Sequence, residues 1–295
     1  MGKLNLEKPL DRIDWKTRIP IIGLHVAAAI GFLFTEFSWK GVLLCIVAYY
    51  FRMWALSSFF HRYFSHRSFK TSRWFQFIMA FLGTLTVQNG VLWWAANHRH
   101  HHRYSDQPED LHSPKQKGFW WAHMGWVLTY RVNKTKFELV RDFLKFPEIR
   151  WLDRYWLIVV SAFAAATLMI GGWFAFYWCF LLSTVLLLHG TFTVNSLAHM
   201  WGSRRYETTD TSRNNFLIAL ITMGEGWHNN HHRFMSSARQ GFFWWEIDPS
   251  YYVLKILEKF RLVWDVRRPP KEVLVGSTAP AEATSPVERR ESYTA

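Results

Sequence analysis

The chain has 295 residues, half of them hydrophobic and 18% aromatic, with a formal net charge of +13. Its 18 tryptophans are heavy for a water-soluble globule and suit a protein with wide membrane interfaces, where Trp and Tyr gather. Two cysteines, Cys45 and Cys179, both inside apolar runs, exclude a disulfide framework, and with no recognition motif beside the positive charge nucleic acid is not an expected partner.

Residues 1–18 are basic and polar, without the apolar core of a signal peptide, and read as a cytoplasmic N-terminal segment. Residues 19–35 are apolar and long enough to span a bilayer. After a turn at 36–40, residues 41–60 return. Arg52 interrupts this second run and is expected to face the protein interior or to snorkel to the headgroups, the second being the favoured arrangement. His61-Arg-Tyr-Phe-Ser-His66 follows at once.

A third apolar run covers 74–94. If it crossed the membrane, the histidines before and after it would lie on opposite sides, and Gln88 and Asn89 weaken it as a lipid-facing surface. It reads as one helix lying in the interface. Residues 95–154 are mostly polar and begin with His98-Arg99-His100-His101-His102. Residues 155–170 and 173–194 form a second apolar hairpin joined by Gly171-Gly172. Asn195-Ser-Leu-Ala-His199 and His228-Asn-Asn-His231-His232 come next, then Phe242-Phe243-Trp244-Trp245, a candidate for docking to the interface. The composition of 269–295 reads as a disordered tail, leaving 19–268 as an integral-membrane domain.

The expected fold is therefore an all-α membrane protein with four transmembrane helices in two hairpins. On this map Lys40 is the sole basic residue of the far side, so the positive-inside rule places the histidine boxes and both termini in the cytoplasm.

Histidines at i, i+3 and i+4 share a helical face. His98, His101 and His102 have that spacing, as do His228, His231 and His232; Asn195 and His199 are four apart. His61 and His66, five apart, fit less well on one face and are expected to aim at different atoms. Nine imidazoles are too many for one ion and enough for two, and imidazole alone leaves Zn, Cu, Fe and Ni open. His100 points roughly 160–200° away from its neighbours and faces solvent or a supporting partner. His25, His112, His123 and His189 lack the pattern and read as structural. Asp106, Glu109, Asp110, Glu207, Asp210 and Glu225 flank the boxes, and Glu225 and Asp106 are the expected acceptors for the ligands' other N–H groups. A divalent metal transporter would place its ligands near the bilayer midplane, whereas these boxes lie beyond the ends of the apolar runs.

The order HxxxxH, HxxHH, NxxxH, HxxHH between two hydrophobic hairpins resembles the membrane-bound fatty acyl desaturases, most of all the stearoyl-CoA (delta-9) desaturase group. The likeness runs from about residue 19 to 250 and includes Val87-Gln88-Asn89, Gly125-Trp126 and Gly224-Glu225-Gly226-Trp227-His228. It implies a helical cytoplasmic cap holding two irons. One would be bound by His61, His102, His199, His228 and His232, the other by His66, His98, His101 and His231, with Asn195 reaching it through water. It further implies O2-dependent formation of a cis double bond in an acyl chain, with electrons from a separate ferredoxin or cytochrome b5 with its reductase. A tunnel would be walled by Gln88, Asn89, Trp93 and Thr191 and closed by Tyr49. A fatty acyl hydroxylase, on the same boxes, differs in yielding an alcohol. One departure stands out: an Arg-Asp pair that precedes the second box in the animal acyl-CoA enzymes is Ala96-Asn97 here, which keeps a phospholipid-esterified acyl chain or a carrier-protein thioester open beside acyl-CoA.

Overall fold

The structure, a computed structural model, describes residues 10–275. Among these, three helical stretches are long and apolar enough to cross a membrane: Trp15–Leu33, Trp39–Ser65 and Trp156–His199. The first is helix α1 (Trp15–Leu33). The second opens as α2 (Trp39–Ala55), started by Ser38, whose hydroxyl accepts the Gly41 N–H, and continues without a break into a π-helical segment, Leu56–Ser65.

The run at 74–94 is not one helix. It divides into α3 (Arg73–Thr84), capped by Ser72, and α4 (Val91–Tyr104). Between them Val87 and Asn89 hold φ of 62° and 64°, a left-handed backbone that ends a helix and is costly for a β-branched residue. The backbone N–H groups of Leu92 and Trp93 at the start of α4 donate to Asp153 Oδ1 at 2.8 and 3.0 Å, from helix α5 (Pro147–Arg154). A negative side chain at a helix N-terminus is favourable, so this break has its own anchor.

The 44-residue third stretch consists of α6 (Trp156–Ala175), a π-helical turn at Phe176–Leu182, and α7 (Ser183–Asn195). Gly171 and Gly172 leave helical geometry, and Gly172 takes φ 60°, which glycine adopts without strain. The chain doubles back there. The rings of Phe163 and Phe180 are 5.5 Å apart, although 17 residues of straight helix would separate them by about 25 Å. Helix α1 lies on the returning leg through Ala28, Tyr177, Phe180 and Leu181.

Arg52 does not snorkel. It is 2% exposed and donates to Ser183 Oγ at 2.6 Å and Thr184 Oγ1 at 2.7 Å, as well as to the carbonyls of Ala48 and Leu85. Hydroxyls and carbonyls from α7, α2 and the turn before α4 replace the water the guanidinium would otherwise seek, so the charge ties three elements together.

Beyond the spans, short helices carry the polar segments. A two-residue antiparallel pair, Lys70–Thr71 with Val263–Trp264, fastens the end of the described chain beside the first box. The stretch expected to be disordered begins with a helical turn at Lys271–Leu274, and residues 276–295, like 1–9, lie outside the described residues.

Candidate metal centre

The first box lies on the π-helical segment, and this changes its geometry. Hydrogen bonds from i to i+5 bring residues five apart over one another. His61 and His66 therefore do not aim at different atoms; their rings lie 4.9 Å apart and face the same point. Helix α4 presents His98, His101 and His102. His199 ends a short turn, Leu197–His199, that follows α7, and helix α8 (His228–Arg233) presents His228, His231 and His232.

The nine imidazoles gather into two adjoining sets. His61, His66, His98, His102 and His231 form one, and His101, His199, His228 and His232 the other. This grouping differs from the expected partition in placing His61 and His102 with the first set and His101 with the second. In the first set Nε2 atoms meet Nε2 atoms, at 2.8 Å for His66 and His98, 2.9 Å for His98 and His102, 2.9 Å for His102 and His231, and 3.1 Å for His61 and His231. Two donor atoms each ~2.1 Å from one ion and at right angles lie about 3.0 Å apart. In the second set His199 and His228 meet at 3.1 Å, while the Nε2 atoms of His101 and His232 are buried without any hydrogen-bond partner. Buried lone pairs converging on one point, with no proton donor to satisfy them all, fit metal ions. The His102 and His232 rings lie 4.5 Å apart, so the two sets share a wall.

Four ligands face a carboxylate with the opposite nitrogen. His61 Nδ1 meets Glu225 at 2.5 Å, His101 meets Asp110 at 2.9 Å, His232 meets Asp210 at 2.6 Å, and His199 meets Asp106 at 3.6 Å. Such contacts place the N–H on Nδ1 and turn the Nε2 lone pair inward. Glu225 and Asp106 were the expected acceptors; Asp110 and Asp210 were only named as flanking. Burial alone would raise the Glu225 carboxyl, but His61 and Arg62 hold it down at about 2. Burial, and then the neighbouring imidazoles, push His66, His98, His102, His228 and His231 well below the usual histidine range, so they stand neutral as metal ligands must.

Around this centre the polar scaffold is buried too. Arg62 lies between Glu225 and Asp248, and Arg99 spans Asp142 and the carbonyls of Phe64 and Ser65. Asn229 accepts the N–H groups of Arg205 and Tyr206, and Asn230 donates to Gln240 O and Glu246. The two asparagines between the histidines of the last box thus clamp α8 in place, a role no spacing rule suggests. His100 stays out of both sets and meets the Glu109 carbonyl. His112 packs against His101, 4.2 Å between rings, and shares Asp110 with it as a third possible donor group. His25, His189 and His123 form a separate hydrogen-bonded row ending at Ser196.

A cavity of about 280 Å³ leads to the first set. Gln88, Asn89, Trp93, Trp94, Thr191 and His98 line it, with Thr17, Arg18 and Trp156 at its outer part. Gln88 donates to Thr191 Oγ1 at 2.8 Å and accepts from Trp94 Nε1 at 3.2 Å, a polar bridge across a mostly apolar bore. A second space of about 40 Å³ shares Trp94, His98, Thr191 and Asn195 with the first and is also lined by Met53, Leu56 and Thr222. Tyr49 lines neither. Its hydroxyl donates to Ile221 O at 2.8 Å and fills the space above Gly190, because the helices approach closely there. Met53 lines the smaller space instead.

The family model for fatty acid desaturase matches residues 37–264. The chain belongs to the fatty acid desaturase family. It is 34% identical over 263 residues to the sn-1 stearoyl-lipid 9-desaturase of Anabaena variabilis, covering 88% of this chain and 96% of that protein. It is 38% identical over 251 residues to the acyl-CoA C20 Delta5-desaturase of Anemone leveillei, covering 84% and 80%, and 36% identical over 242 residues to the sn-2 palmitoyl-lipid 9-desaturase of Nostoc sp. (strain 36), covering 80% and 85%. The protein is thus an oxidoreductase that desaturates fatty acyl chains. The relatives act on lipid-linked and CoA-linked substrates alike, so family membership leaves the carrier open.

Proposed function

We propose that this desaturase introduces a cis double bond at the delta-9 position of a saturated acyl chain, using O2 and two irons held by the nine histidines. The observation that carries this reading is the convergence of two buried imidazole sets on the inner end of an apolar bore. The first iron would take His61, His66, His98, His102 and His231. The second would take His101, His199, His228 and His232, with Asn195, at the meeting of the two cavities, reaching it through water. Bound iron supplies an oxidant from O2 strong enough to remove hydrogen from an unactivated methylene, which no side-chain acid or base can do.

The residues of this chain supply the positioning. The Gln88–Thr191–Trp94 bridge narrows the bore beside His98 and bends the acyl chain so that one pair of methylenes faces the histidines. A kinked chain presents its two hydrogens from one side, which favours a cis product. Glu225, Asp110, Asp210 and Asp106 hold the imidazoles in one orientation, and Arg62 and Arg99 brace the box backbones. Apolar walls exclude water and so protect the oxidant.

The doubling back at Gly171–Gly172 supports four spans in two hairpins within 19–268, with the histidine cap and both termini on the cytoplasmic side. Electrons come from a separate donor, a ferredoxin or cytochrome b5 with its reductase. Expression in a host lacking its own desaturase, followed by mass-spectrometric mapping of double bonds, tests the reading. Delta-9 monounsaturated chains are expected. An alcohol product instead of an alkene would assign the site to a hydroxylase.

A further inference from the structure

The outer part of the large cavity contains a charge that the desaturation chemistry does not use. Arg18, in the first turn of α1, lines the cavity and is nine-tenths buried. One guanidinium nitrogen, Nη2, donates to the side-chain oxygen of Asn133. Its Nε is buried without a hydrogen-bond partner. The nearest acid, Asp14, is engaged elsewhere: it accepts from Thr17 Oγ1 at 2.7 Å and from Asn133 Nδ2 at 2.6 Å. Among the described residues no carboxylate lies within ion-pair distance of Arg18. Buried charges are ordinarily paired, because an unpaired one forfeits its hydration without return. Asp14 acts on the Arg18 charge from a distance and without contact, and the guanidinium Nε is left for whatever occupies the cavity.

The position of this charge also says where the occupant comes from. The cavity wall near Arg18 is made by Pro20 and Ile21 of α1 and by Trp156 and Leu157 of α6. Both helices belong to stretches long and apolar enough to cross a membrane. Beside the mouth their outer faces carry Ile19, Leu157 and Ile158, all at least half exposed. The cavity thus opens where two spans face lipid, at the first turn of each, which is the level of the headgroups. His98 lines the same cavity. A molecule with an anionic head at Arg18 and an acyl chain running inward to His98 would satisfy both.

We propose that Arg18 is the phosphate-binding residue of a glycerophospholipid site, and that the lipid's acyl chain slides laterally from the bilayer between α1 and α6 into the bore. The substrate is then a membrane lipid and not acyl-CoA; the assignment rests on the desaturase reading above. Asn133 holds the guanidinium in position and is itself held by Asp14.

The test measures binding without turnover, so that it does not depend on the electron donor. Full-length protein, loaded with iron, is purified in detergent and offered dipalmitoylphosphatidylglycerol, dipalmitoylglycerol or palmitoyl-CoA, and retention of each is read by native mass spectrometry. Wild type is expected to retain the phospholipid best. Arg18→Gln should weaken its retention by about tenfold, the loss expected of one charge-assisted contact, while retention of the uncharged diacylglycerol stays the same. Arg18→Lys should restore most of it, which a purely structural role would not. Equal retention of the two lipids by wild type, or an equal fall for both in Arg18→Gln, overturns the phosphate site. Tighter retention of palmitoyl-CoA that Arg18→Gln abolishes would transfer the phosphate to coenzyme A and overturn the lipid source. Neither result bears on the double-bond mapping, which tests the desaturase reading alone.

Discussion

His101 and His66 were expected to serve one metal, and the structure puts them in different sets. That difference can be measured. His101→Ala removes a ligand from a set of four, and His66→Ala one from a set of five. The first should lose about half of the bound iron, because a three-imidazole remnant binds it poorly, while the second should retain more. Combining His101→Ala with His228→Ala should cost little iron beyond either alone, since both act on one ion; combining His101→Ala with His66→Ala should compound. Iron per protein by plasma mass spectrometry decides, and additive losses within the second set would refute the grouping. The carboxylates give a finer handle. Asp210 accepts from His232 Nδ1 at 2.6 Å and touches no other box histidine at hydrogen-bond distance. Asp210→Asn keeps the shape but lets the ring donate less strongly. Iron affinity should fall by roughly 10–100-fold, the usual cost of losing such a support, and a competition titration with a chelator would show it. Unchanged affinity would mean that packing alone orients His232.

Among the elements, α2 and α7 approach most closely at Gly190. A Cβ built there would lie 2.4 Å from Tyr49 Oη and 2.9 Å from Met53 Cε. Gly190→Ala should therefore lower the thermal midpoint by several degrees, on the order of 1–3 kcal/mol of overpacking. In a Tyr49→Phe background the same substitution should cost less, because the clashing oxygen is gone; an equal loss in both backgrounds would place the strain elsewhere. Tyr49 illustrates what was legible in the sequence and what was not. Helix existence, the doubling of apolar runs at Gly171–Gly172 and the set of nine histidines all follow from periodicity and spacing, which are local. Whether Tyr49 faces a bore or a glycine of another helix depends on how α2 and α7 meet, and no local pattern encodes that. Arg52 misled for a related reason: its partners Ser183 and Thr184 lie more than 130 residues away, so only the expensive charge was visible and not the hydroxyls that relieve it. The break at Val87–Asn89 was hidden by hydropathy, which registers apolar side chains and not φ. The π-helical winding that aligns His61 with His66 was hidden because HxxxxH reads as a poor face only if an α-helix is assumed.

At the scale of the whole molecule, the two cavities and the two histidine sets adjoin. Arg18 and His98 both line the larger cavity; the smaller one is lined by His61, His98, His101 and His228 and by Met53 and Leu56. On the proposed reading the distance from carrier to histidines sets where the double bond falls, and the smaller space sets how long the chain can be; the two are separate quantities because the histidines that line the smaller space meet the larger cavity at His98. Met53 is the residue to change: it is almost fully buried and lines the smaller space, so its truncation adds room there. Met53→Ala should shift the product profile toward longer chains while leaving the double bond at the same distance from the carrier. The variant will also lose stability, about 2–5 kcal/mol for a buried Met cut to Ala, so the comparison is made on product ratios and not on total yield. Gas chromatography of the fatty acids from an expressing host reads the ratio, and double-bond mapping reads the position. A change in chain length with an unchanged position supports the path from Arg18 through the histidines to Met53. A moved double bond would mean that the methyl end, and not the carrier, fixes the register, and that the inner space is the ruler for the site of oxidation itself.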